Sequence, residues 1–156
     1  MTEVSDTPLT ELPEDTHYAG FWIRVLAAFV DSILILFITL PIAWQVYGDA
    51  YLDNTDMIQG PADFLLSYVF PALAAILFWI YKSATPGKML VKTSIVDART
   101  GGKPSVGQCV GRYLGYYVSA LPLLLGIIWV GFDKRKQGWH DKLAGTVVIY
   151  NPREAE

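Results

Sequence analysis

The sequence predicts an all-α membrane protein with two transmembrane helices, a third apolar region that is either a re-entrant hairpin or a third span, and a small cytoplasmic β element. Three observations carry this expectation. The chain of 156 residues is 53% hydrophobic and only 17% charged, a balance that leans away from an ordinary soluble fold. The apolar residues fall in blocks: 25–46 holds one charge, Asp31, and 64–81 holds none. Each block is long enough to cross a hydrocarbon core of about 30 Å as a helix. Finally, the charges segregate: residues 1–23 and 47–63 carry nine Asp or Glu and no Lys or Arg, whereas 82–112 carries six basic residues against Asp97 alone.

That segregation sets an orientation. Lys134, Arg135, Lys136, Lys142 and Arg153 follow the last apolar block, and Lys and Arg near span ends face the cytoplasm. The expected arrangement is a multi-pass protein of the cytoplasmic (inner) membrane, with loop 47–63 outside and the basic loop 82–104 inside. The first span reads as retained, because no basic segment precedes it and it exceeds the length of a signal-peptide core.

Residues 1–17 are acidic, with Pro8 and Pro13, and read as a disordered tail. The membrane domain is expected over 18–150, with a short tail over 151–156. Trp22, Trp44, Tyr47, Trp79 and Tyr81 sit where interfacial aromatic belts form, and Pro41 and Pro71 are expected to bend the spans. In the third apolar region, 105–132, a straight crossing would carry Lys134, Arg135 and Lys136 to the outside, against the charge rule. Leu121 and Pro122 divide this region. Two short helices returning to the cytoplasm are therefore favoured over a full span, a form tolerated where the irregular backbone is buried in protein. Segments 91–97 and 146–150 are β-like and expected to pair.

Within the front half of the third region, Gly107, Gly111, Gly115 and Ser119 recur every fourth residue and form a small-residue stripe suited to close helix contact. Gln108, Arg112 and Tyr116 run beside it as a polar edge. Asp31 lies inside the first span, where a charge costs about 2.5–3.5 kcal/mol at the helix centre and is a functional-site hypothesis by default. Arg24 precedes it by seven residues, about 10 Å along the axis and too far for direct contact. Arg112 enters the third region to a matching depth, so an Asp31–Arg112 ion pair is expected. The alternative for Asp31 is a purely structural lock between helices. Asp141 is expected to order the cytoplasmic turn or to pair with Arg24.

Enzyme chemistry finds little support. Pro86-Gly87-Lys88-Met89 lacks the upstream glycine and the following Ser or Thr of a phosphate-binding loop and reads as a turn. His140 beside Asp141 lacks a convincing nucleophile. Two histidines and the lone Cys109 give no metal-ligand pattern, and Cys109 reads as a small packing residue. The basic loop lacks the aromatic interleaving that suits nucleic acid and is explained by topology and anionic headgroups. No cofactor, metal or nucleic acid is expected. The partners expected are the lipid bilayer, a second copy of the chain, and a small cation or proton.

The segment Gly138-Trp139-His140-Asp141-Lys142-Leu143-Ala144-Gly145-Thr146 resembles the closing motif of the RDD family of bacterial and archaeal membrane proteins, named for an arginine and two aspartates. Arg24 and Asp31 resemble its first two signature residues and Asp141 the third. Thr85-Pro86-Gly87-Lys88-Met89-Leu90 and Ile95-Val96-Asp97 resemble its middle portion. The resemblance covers about 18–150 and implies a role generally described as unknown, with transport proposed and a likeness to cation transport suggested for some members. Two functions are therefore expected as alternatives: a small transporter or cation/proton exchanger, which at this size needs a homo-oligomer, or a non-transporting membrane module that binds a partner or lipid, its buried charges structural.

Overall fold

The computed structural model describes Leu12 and residues 15–150. Most of the expected acidic tail over 1–17 and all of the tail over 151–156 lie outside the described residues.

Helix α1 runs Phe21–Tyr47, through Pro41. Its 27 residues span about 40 Å at 1.5 Å per residue, beginning one turn earlier than the apolar block 25–46. Only Ala27 and Ala43 are buried, so α1 meets its neighbours through small residues and leaves its large apolar side chains uncovered. It ends at Gly48, whose φ of 69° lets its N–H bond back to Trp44, a left-handed stop that suits glycine. A short α2 (Ala50–Asp53) lies in the acidic loop.

The second long apolar helix covers Pro61–Lys82. It is built from α3 (Pro61–Phe64), a π-helical turn at Leu65–Val69 and α4 (Phe70–Lys82). Pro71 explains the wide turn, because its ring crowds the carbonyl four residues back and it has no N–H to donate. Both long helices meet the length and hydropathy needed to cross a membrane.

After α5 (Pro86–Leu90), strand β1 (Thr93–Asp97) pairs antiparallel with β2 (Thr146–Tyr150), Thr93 opposite Tyr150 and Asp97 opposite Thr146. The expected sheet is present, its first strand two residues shorter than 91–97 because Val91 and Lys92 form a turn, with Lys92 at φ 55°. Residues 17–19 run along the other edge of β2, where Ala19 N–H donates to the Val148 carbonyl at 2.9 Å and Tyr150 N–H donates to the His17 carbonyl at 2.9 Å.

The third apolar region is bent. Helix α6 (Val106–Ala120) opens on a capping box between Ser105 and Gln108. Leu123 and Leu124 then take positive φ, and the segment Leu125–Gly131, with α7 at Leu125–Ile128, leaves at 113° to α6. The chain returns along α6: Gly126 lies against Ser119, His140 against Gly115, and Gln108 Nε2 donates to the Gly145 carbonyl at 3.1 Å. It closes with α8 (Trp139–Ala144). Entry and exit therefore share one end of the molecule, with the N-terminal end of α1 and the sheet, a hairpin in shape.

The small-residue stripe is used by half. A Cβ on Gly115 would sit 2.9 Å from the His140 Cα, and Ser119 is fully buried, whereas Gly111 has open space around it and Gly107 almost as much. The buried face of α6 is Cys109, Arg112, Gly115 and Ser119, which takes the later half of the stripe together with Arg112 of the polar edge. Cys109 joins Ala19, Trp79, Ile95 and Val148 in the core where the sheet, α4 and α6 meet.

Candidate functional site

Asp141 is the centre of the charged cluster. It is fully buried in the first turn of α8, where its Oδ2 accepts the Gly138 N–H at 3.0 Å and so closes the helix start. The same oxygen accepts Arg24 Nη1 at 2.5 Å. Arg112 Nη1 reaches the other oxygen, Oδ1, and also donates to Thr146 Oγ1 at 2.8 Å. Arg24 Nη2 donates to the Lys136 carbonyl at 2.5 Å and its Nε to the Ala19 carbonyl at 3.0 Å. One carboxylate thus ties α1, α6 and α8 together. Burial pushes the Asp141 carboxyl up, but the Arg112 and Arg24 charges outweigh it and hold it well below the ordinary carboxylate range.

His140 stacks on Tyr116 with ring centroids 3.9 Å apart. Burial, against the pull of Asp141, pushes its imidazole down to about 3, so the ring is neutral at physiological pH. Its backbone N–H donates to Ser119 Oγ at 3.0 Å, and that hydroxyl donates to the Gly115 carbonyl at 2.8 Å. Ser119, His140 and Asp141 therefore adjoin one another, yet the serine hydroxyl is engaged in tying α8 to α6 and is wholly buried. The Arg112 guanidinium lies 5.5 Å from the Trp79 ring centre and 5.7 Å from that of Tyr116, faces that favour a cation.

The expected Asp31–Arg112 pair does not form. Arg112 is taken by Asp141, and among the described residues no cation reaches Asp31 within ion-pair distance. Asp31 instead receives the start of α5: Thr85 Oγ1, at the cap, donates to its Oδ2 at 2.5 Å and Gly87 N–H, inside the helix, to its Oδ1 at 2.6 Å. Gly87 permits this approach, since a Cβ there would collide with the Ala27 carbonyl oxygen. Arg24 pairs with Asp141 through its Nη1, one of the two arrangements expected for Asp141.

Helices α1, α4 and α6 border a cavity of about 500 Å3. Ile35, Phe78 and Tyr113 represent its mainly apolar walls, and Asp31 and Lys88 are its charged lining residues. Lys88 is only 7% exposed, and among the described residues its ammonium forms no ion pair. Burial lowers its pKa, opposed by the nearby Tyr116 and Asp31. Reading Pro86-Gly87-Lys88-Met89 as a turn missed this residue, because these four residues open helix α5. The available signal was Thr85-Pro86, a cap residue followed by proline at the first helical position, which puts Lys88 in a helix.

Comparison with known proteins places these residues in a family. The sequence model of the RDD family matches residues 18–145. The chain is 31% identical to uncharacterized protein YxaI of Bacillus subtilis (strain 168), over 85% of this chain and 97% of that protein. It is 29% identical to uncharacterized protein RP437 of Rickettsia prowazekii (strain Madrid E), over 85% and 95%. It is also 28% identical to uncharacterized membrane protein YteJ of Bacillus subtilis (strain 168), over 86% and 83%. No solved structure matches. With Arg24, Asp31 and Asp141 all inside the matched segment, the chain belongs to the RDD family.

Proposed function

We propose that this chain is a multi-pass protein of a bacterial or archaeal cytoplasmic membrane whose cavity binds a bilayer amphiphile, with the Asp141 cluster serving as a structural latch. Loop 47–63 faces outside and loop 82–104 the cytoplasm, in keeping with the basic residues gathered at one end. The observation that carries the binding role is the cavity of about 500 Å3 between helices long enough to span a bilayer. Its size falls in the range of small-molecule sites, and its apolar walls with a few polar groups match their usual make-up. The latch supports the structural assignment, because a carboxylate held by two arginines is a poor proton carrier near neutral pH.

The test uses the purified full chain in nonionic detergent with a neutral photoreactive long-chain alcohol. Cross-links are expected on α1, α4 and α6 at the cavity, and Ala28→Trp, at an exposed lining position, is expected to remove them. Labelling spread over all uncovered helix faces and indifferent to Ala28→Trp would overturn the binding role.

Asp31 motivates a second reading, a cation or proton exchanger working as a homo-oligomer, because its carboxylate lines the cavity without a cation partner. Its two hydrogen bonds from Thr85 and Gly87 suit docking of α5 equally well. Proteoliposomes with a trapped pH dye separate these. Sodium- or potassium-driven proton movement lost in a folded Asp31→Asn protein supports exchange, and silence in both proteins with a lower melting temperature in the variant supports docking.

A further inference from the structure

We propose that Lys88 is the headgroup site of this cavity, and that the ligand is a single-chain amphiphile carrying one negative charge, a long-chain carboxylate being its simplest form. The inference rests on the cavity-binding role above and names what the cavity selects.

The first ground is an unmet cation. Lys88 is 93% buried by its 7% exposure, lines the cavity, and has no hydrogen-bond acceptor or ion-pair partner for its ammonium among the described residues. Lysine is almost never so buried unless paired. The second ground is the local charge balance. Arg24, Arg112 and Lys88 supply three positive charges, and Asp31 and Asp141 supply two negative ones. His140 adds none, because burial keeps it neutral. The excess positive charge lies with Asp141, which meets both arginines, while Asp31 takes its contacts from the neutral Thr85 and Gly87, so among the described residues no carboxylate reaches the Lys88 ammonium within ion-pair distance.

The ligand's shape follows from where that charge sits. Lys88 belongs to α5, docked on α1 between Ala27 and Asp31, while the rest of the cavity runs along α1 and α4 past Ile35, Ile38, Phe70 and Phe78. An anionic head at Lys88 thus places an alkyl chain against these apolar walls, a charge-assisted contact at one end and area burial along the other. Asp31 in the lining repels a second negative charge, which favours a monoanion. Burial also holds the Lys88 amine below its ordinary range, and an anion beside it restores the charged form.

The experiment measures binding of palmitate, hexadecanol and hexadecyltrimethylammonium to the purified full chain in nonionic detergent, for wild type, Lys88→Gln and Ala28→Trp. Palmitate is expected to bind wild type at least about tenfold more tightly than hexadecanol, a difference of about 1.4 kcal/mol. Lys88→Gln is expected to weaken palmitate at least about tenfold and so remove that preference, and Ala28→Trp to block both. If palmitate and hexadecanol bind wild type equally and Ala28→Trp blocks both, the cavity-binding role stands and the Lys88 assignment falls. If the ammonium amphiphile binds best, the assignment also falls. If none binds, both fall. Should Lys88→Gln fail to fold, acetylation of wild type read by mass spectrometry replaces it. Palmitate is expected to slow modification of Lys88 at least about threefold more than hexadecanol does, and equal protection by the two overturns the assignment.

Discussion

The two ends of the molecule each bury an aspartate, and they hold it by opposite means. At the basic end, Asp141 is gripped by Arg24 and Arg112. At the acidic end, Asp63 is 3% exposed and accepts only neutral donors: Tyr51 OH at 2.8 Å, Ser67 Oγ at 2.8 Å and Gln59 N–H at 3.0 Å. The backbone N–H of Asp63 donates in turn to Tyr47 OH at 3.0 Å. Residues 47–63 contain no Lys or Arg, so this loop offers Asp63 no cation of its own. Hydroxyls can reverse their hydrogen bonds, but guanidinium groups cannot.

The same substitution at both ends tests that contrast and gives the largest expected effect. Asp141→Asn must place its NH2 against either Arg24 or Arg112, both donors only, so a buried cation loses its partner. We expect a loss of about 3–5 kcal/mol, the usual cost of breaking a buried ion pair, seen as a sharply lower melting temperature in detergent. Asp63→Asn can turn its carbonyl to the Gln59 N–H and its NH2 toward the Tyr51 and Ser67 hydroxyls, which rotate to accept. A cost of about 1 kcal/mol is expected. Equal losses at the two ends would break the comparison.

Acid should then weaken the basic end first. His140 is held down to about 3 by burial, while Asp141, Arg112, Arg24 and Lys88 supply the surrounding charges, against about 6.5 for a free imidazole. Between those values the unfolded chain binds a proton that the folded chain refuses, so stability falls as pH drops from about 6.5 toward 3. The slope approaches about 1.4 kcal/mol per pH unit. Asp141, depressed by its arginines, adds its loss only as pH falls through the carboxylate range. Melting followed from pH 7 to pH 5 therefore isolates His140, and His140→Phe, which keeps a ring against Tyr116, is expected to flatten it. An unchanged slope in that variant would move the effect elsewhere.

The long elements were legible in the sequence because hydropathy and β-branched runs mark them directly: the two long apolar helices, the pairing of 91–97 with 146–150, and the break at Leu121-Pro122. The partner of Asp31 was not. Matching its depth with Arg112 treated the two helices as neighbours with nothing between them, whereas α5, only five residues long, has too short a pattern to register and enters there because Gly87 fits against Ala27. Arg112 is buried as its depth implied, but the returning chain brings Asp141 to it first. Lys88 was hidden for another reason: in a loop of basic residues a single lysine reads as solvated, and only the docking of α5 on α1 through Gly87 buries it.

Glycines of α6 sharpen the same contrast at the smallest scale, by asking whether the basic end is held by close approach as well as by charge. Gly115→Ala puts a methyl 2.9 Å from the His140 Cα and 3.2 Å from its Cβ. Backbone cannot yield there without shifting α8 and with it the Asp141 carboxylate. Overpacking of this kind costs about 1–3 kcal/mol. Gly111→Ala, one turn earlier, meets nothing within 4 Å and replaces a poor helix former with the best one, a gain of up to about 1 kcal/mol. Opposite signs for two identical substitutions four residues apart would place the edge of the latch between them. A loss at both would mean that the face carrying Gly111 is covered in the membrane by something beyond this chain, and cross-linking through a cysteine at position 111 would then identify a second copy.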